Sequence, residues 1–133
     1  MHRSRLTAIV IDCLPEHFEE SVFFWAAALG VKKPRRPGAG QRYVHLRRPD
    51  SDFDVLVQRV EQDPGIHLDI ESDSVAREVE RLESLGATRK RKVKTWWVMQ
   101  DPSGKAFCVV RDQGKGLLAQ RPPWPDSEAG RTS

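Results

Sequence analysis

Gly65-Ile66-His67-Leu68-Asp69-Ile70-Glu71 alternates apolar and polar side chains, the period of a half-buried strand. A helical stripe follows: Val75, Val79, Leu82 and Leu85, stopped by Gly86. Then come the basic run Arg89-Lys90-Arg91-Lys92, the segment Trp96-Trp97-Val98-Met99, and the turn Asp101-Pro102-Ser103-Gly104 leading into Phe107-Cys108-Val109-Val110. The first half repeats this order. Thr7-Ala8-Ile9-Val10-Ile11-Asp12 reads as a strand, a helical stripe ends at Leu29-Gly30, and two extended segments follow. One module used twice predicts a pseudo-symmetric fold with its chemistry between the copies.

The first helix should open at Pro15, because proline suits a first turn and Glu16 suits the N-terminal end of the helix dipole. Phe18, Val22, Trp25, Ala26 and Leu29 form its apolar stripe. Residues 31–40, rich in Pro, Gly and Arg, read as a loop or a short edge strand. Strands are expected at residues 6–12, 43–46, 53–60 and 66–71. Ser72 or Asp73 should cap the second helix. A short basic strand, residues 96–100 and residues 105–111 complete the second copy. From Asp112 the chain is polar and Pro-rich, a mobile tail or an arm lying on the body or on a partner.

A chain of 133 residues suits one domain spanning 1–133, with module one at about 6–60, module two at about 65–111 and the tail at 112–133. No stretch approaches the roughly 20 apolar residues of a membrane span. The opening Met1-His-Arg-Ser-Arg precedes a strand rather than a long apolar run, so no secretory leader is read. Two cysteines, Cys13 and Cys108, argue against a disulfide framework and for a reducing, cytoplasmic setting. Net charge is +3, with basic clusters at Lys32-Lys33, Arg35-Arg36, Arg47-Arg48 and residues 89–92. At loops and strand edges such residues keep sheets from pairing edge to edge, and no nucleic-acid partner is expected.

His67-Leu-Asp-Ile, the helix ending in Leu85-Gly-Ala, and Asp101-Pro-Ser-Gly-Lys-Ala-Phe-Cys108 resemble the vicinal oxygen chelate superfamily of glyoxalases, bleomycin-resistance proteins and dioxygenases. The resemblance covers roughly residues 6–111. It implies an α+β fold: two β-α-β-β-β modules in one chain, forming a cup-shaped mixed sheet with helices outside. It also implies a divalent metal held by a histidine early in each module's first strand and a carboxylate late in each last strand. Those positions here are Ala8, Gln58, His67 and Cys108. Only His67 keeps the expected type, so His67 is the metal candidate. Ala8 offers no donor, and a thiolate at Cys108 would favour zinc.

Strand alternation assigns the faces. His67, Asp69 and Glu71 share one face, leaving Ile66, Leu68 and Ile70 to pack on helices. A tight turn at 101–104 would set Gln100 opposite Lys105, and so Trp97 opposite Cys108 on the cup face. Ala8, Val10, Leu56, Gln58, Tyr43 and His45 join that face. Asp69 and Glu71 should meet solvent at their strand end, and His2 and His17 should be exposed. The expected function is metal-independent binding of a small planar ligand, anionic or neutral to suit a basic chain, by His67, Gln58, Trp97, Cys108, Tyr43 and His45. No cofactor is expected in that reading. The alternative is a metal-dependent lyase, isomerase or dioxygenase using His67 with Gln58 and Cys108, with zinc as the ion. A homodimer is compatible with the family.

Overall fold

The computed structural model describes residues 1–32, 34–48 and 51–126. Lys33 of the Lys32-Lys33 cluster, Pro49-Asp50 and residues 127–133 of the tail lie outside them. Among the described residues the fold is α+β, with two α-helices, seven strands and both parallel and antiparallel pairing. The strands are β1 (Ser4–Cys13), β2 (Tyr43–Leu46), β3 (Asp54–Arg59), β4 (Gly65–Ser72), β5 (Thr88–Val93), β6 (Trp96–Gln100) and β7 (Ala106–Arg111). The helices are α1 (Pro15–Ala28) and α2 (Val75–Ser84). No helix among the described residues is long and apolar enough to cross a membrane.

The chain divides into two compact units. The first is Ala8–His67, and the second is Met1–Thr7 with Leu68–Ser133. In the first, β1 lies parallel to β3, and β2 pairs antiparallel with β3 at the edge. In the second, β4 lies parallel to β7, with β6 and then β5 added antiparallel. In each copy the strand before the helix therefore pairs parallel with the copy's last strand. Among the described residues the first copy has the two extended segments after its helix that the sequence shows, one strand fewer than the β-α-β-β-β module that the resemblance implies. Residues 31–42 form none among the described residues, because Pro34, Pro37, Gly38 and Gly40 remove ladder donors and backbone stiffness.

Pro15 begins α1 without a side-chain cap, and Gly30 ends it at φ 68°. Phe18, Val22 and Ala26 bury against Ile11 and Cys13 of β1, Val44 and Leu46 of β2, and Val55 and Val57 of β3. Ser74, rather than Ser72 or Asp73, caps α2 by accepting from the Arg77 N–H at 3.3 Å. The cluster under α2 is Val79, Met99 and Val109, flanked by Val75, Leu82, Ala87, Trp97 and Phe107. No β4 residue belongs to it. Ile66 and Leu68 are accordingly 65% and 44% exposed instead of packed on a helix.

Two polar groups depart from expectation. Glu71 is fully buried, ion-paired with Arg5 and accepting from the Gln113 N–H at 2.7 Å. His2 is buried with its Nε2 2.8 Å from Glu78. An apolar interior tolerates these carboxylates only because each is bonded. The tail, to residue 126, is an arm on the second unit. Trp124 bonds His2 through its backbone and Ser4 through its indole N–H, both at 2.7 Å, and the Arg81 guanidinium stacks 3.9 Å from its ring.

Candidate functional site

In the first unit, register and alternation leave one face of the strands turned from the α1 cluster. Ala8, Val10 and Asp12 of β1 stand beside Asp54, Leu56 and Gln58 of β3, and His45 and Tyr43 stand beside Leu56 and Gln58. One cross-strand row is therefore Tyr43, Gln58, Asp12. Tyr43 is 54% exposed, and its ring meets His45 edge to face at 5.5 Å. His45 Nδ1 lies 3.3 Å from Asp54.

At the inner end of the row, His67 Nδ1 donates to Asp12 Oδ2 at 2.6 Å. Both side chains are largely buried. Asp12 Oδ1 is buried and accepts from no described group. Gln58 makes no side-chain hydrogen bond among the described residues. Alternation from Val10 would have reached Asp12 in the sequence, yet its partnership with His67 spans 55 positions and carries no local signal.

In the second unit the hairpin differs from expectation by one residue. Asp101 and Lys105 close the turn through a backbone bond at 2.8 Å, and the Asp101 carboxylate accepts from the N–H of Ser103 and of Lys105. The bond from the Ser103 hydroxyl and then the Lys105 backbone N–H hold its pKa below the usual aspartate value. Three residues, with Gly104 at φ 90°, make the reversal. Gln100 therefore pairs with Ala106, Val98 with Cys108 and Trp97 with Val109. Trp97 shares the α2 side with Met99 and Phe107, not the face of Cys108. Trp96 takes that face instead. Cys108 is half-buried and lies across from Asp69.

The four positions that match a metal centre by resemblance do not fit a hard divalent ion. Ala8 presents a buried methyl, Gln58 a neutral amide, Cys108 a soft thiol and His67 an imidazole. Two clefts occur in the second unit. One of about 550 Å³ is lined by Ser72, Asp73, Val75, Thr95, Arg111 and Asp112. The other, of about 600 Å³, lies between Arg77, Arg81 and Ser84 of α2 and Trp124 of the arm. Neither is lined by Tyr43, Gln58 or His67.

Among solved structures, the chain is similar to a glyoxalase/bleomycin resistance protein/dioxygenase superfamily member from Vibrio splendidus 12B01. Identity is 15% and the TM-score 0.52, over 84% of this chain and 99% of that one. An integron cassette protein from the mobile metagenome of the Halifax Harbour sewage outfall is 17% identical over 79% of this chain and 96% of that one, with a TM-score of 0.34. A glyoxalase/bleomycin resistance protein from Albidiferax ferrireducens T118 is 16% identical over 77% and 96%, with a TM-score of 0.28. No curated protein matches the sequence. The family model described as a glyoxalase-like domain matches residues 8–110, and the chain therefore belongs to the glyoxalase-like family of the vicinal oxygen chelate superfamily.

Proposed function

We propose that this protein is a metal-independent member of its family that binds a small planar organic molecule on the face bearing Tyr43, Gln58 and the Asp12–His67 pair. The observation that carries this reading is the row itself: an exposed aromatic ring beside an amide with no hydrogen-bond partner among the described residues, beside a fixed carboxylate. A flat ring has a stacking surface there and a polar group to orient it. The free thiols Cys13 and Cys108 suit a reducing compartment.

One observation favours a second reading. A carboxylate on the far nitrogen is the usual way a metal-ligating histidine is oriented, and Asp12 holds Nδ1 of His67 in that manner. The ion would be zinc, which imidazole ligation suits.

The experiment is thermal melting of metal-stripped, reduced protein against planar aromatic compounds, with and without zinc. A ligand at 100 times its Kd adds about 2.7 kcal/mol of stability. The expected result is a metal-free rise in Tm that is lost in Tyr43→Ala. A rise that requires zinc and disappears in His67→Ala would replace the binding reading with the metal reading.

A further inference from the structure

The positive charge of the protein is concentrated in one strand. Residues 89–94 hold five of the 22 lysines and arginines and no acid, so the rest of the chain carries 17 cations against 19 acids. Of the five, Arg89 is ion-paired with Glu83. Lys90, Arg91, Lys92 and Lys94 are exposed and have no ion-pair partner among the described residues. A bulge between Arg89 and Arg91 already blunts this edge against a further strand. Four unpaired like charges within five positions go beyond that need, and their mutual repulsion costs the folded state stability. A polyanion bound along them removes the repulsion.

The geometry narrows the kind of polyanion. β5 pairs on one side only, with β6. Register puts Arg91 opposite Val98 and Val93 opposite Trp96, on the face turned from α2, and Lys92 opposite Trp97 on the α2 side. The cations therefore stand on both faces of a ridge about 17 Å long from Arg89 to Lys94. A flat bilayer meets one side of such a ridge, whereas a flexible chain of phosphates can follow it. The bulge interrupts the backbone ladder that an acidic peptide would need in order to add as a strand. Trp96 supplies a group that a nucleic acid uses. It is half-buried, and its position is diagonal to Arg91 across the strand pair, about 7–8 Å away and within reach of a long side chain. A base stacked on Trp96 would set its phosphate beside Arg91.

We propose that the edge formed by β5 and Trp96 binds single-stranded nucleic acid, with Lys90, Arg91, Lys92 and Lys94 on the phosphates and Trp96 under a base. This is independent of the planar-ligand reading, which concerns the first unit. It reverses the expectation that these cations serve only to keep strands apart.

The test is fluorescence anisotropy of a labelled oligothymidylate of about 12 nucleotides, titrated with the full protein at about 50–200 mM NaCl. Each phosphate neutralised on a single strand adds about −0.7 to the slope of log K against log salt. Four contacts predict a slope of about −2.8, a loss of about 50-fold in affinity over that range. Lys90→Gln with Lys92→Gln should halve the slope to about −1.4 and weaken binding by at least about ten-fold at the lower salt. Lys32→Gln with Lys105→Gln removes the same charge from other exposed positions and should change neither. Trp96→Leu, which keeps an apolar side chain, should weaken binding by about five-fold or more and leave the slope as it was. Circular dichroism checks that each variant is folded. Equal losses in the two lysine pairs would mean a diffuse field and overturn the proposal. So would a duplex of the same length, polyglutamate or phosphatidylserine vesicles bound as tightly as the oligothymidylate at equal salt, or no binding at the lower salt.

Discussion

Asp12 and His67, 55 residues apart in the chain, are joined by a hydrogen bond of 2.6 Å between Oδ2 and Nδ1. The bond fixes the orientation of the imidazole and places a negative group beside Gln58. Asp12→Ala should destabilise the fold by about 1–3 kcal/mol, the usual range for losing a charged hydrogen bond inside a protein. A Tm lower by several degrees would show it. An unchanged Tm would mean that the pair holds nothing in place.

Glu78 should govern part of the acid limb of stability. Burial pushes its carboxyl up, but hydrogen bonds from Arg81, His2 and Ser4, together with the Arg81 charge, outweigh this and hold its pKa below the usual glutamate value. A lowered native pKa means that the unfolded chain binds more protons. The stabilisation is therefore present above the ordinary glutamate range and is lost as pH falls from there through the lowered native pKa. Glu78→Gln should flatten the fall in Tm with acid. A curve still parallel to that of the unmodified protein would contradict the assignment.

Trp97 should behave as a core residue. It lies in the cluster with Val79, Met99 and Val109, so Trp97→Ala should cost about 3–5 kcal/mol. Urea unfolding measures this. Planar ligands should bind the folded variant as they bind the unmodified protein.

Gly104, at φ 90°, makes the reversal between β6 and β7. A methyl there meets no heavy atom within 4 Å, so Gly104→Ala tests backbone strain alone. The expected cost is about 1–2 kcal/mol, read from chemical unfolding. A neutral result would mean that the turn tolerates another form.

Much of this architecture is legible in the sequence because period and punctuation are local. Val44 and Leu46 alternate with Tyr43 and His45, and β2 begins and ends where that pattern does. Gly30 and Gly86 mark the ends of α1 and α2. The hairpin shows where such reading stops. Moving from a two- to a three-residue reversal flips every side chain of β6 relative to β7, and the decision lies in bonds to the Asp101 carboxylate that spacing does not display. Glu71 and His2 escape local reading for a related reason. Each looks solvent-bound beside its chain neighbours, and its partner, Arg5 or Glu78, is more than sixty positions away.

The outer strand β5 carries a further implication for how the protein behaves in concentrated solution. Arg89 is tied to Glu83, and Lys90, Arg91 and Lys92 stand exposed, with a bulge between Arg89 and Arg91. Mutual repulsion and an interrupted ladder both stop another strand from adding there. That protection is largely electrostatic and so depends on ionic strength. Light scattering should show the protein staying dispersed in dilute buffer and beginning to self-associate as added salt brings the screening length below the spacing of these cations.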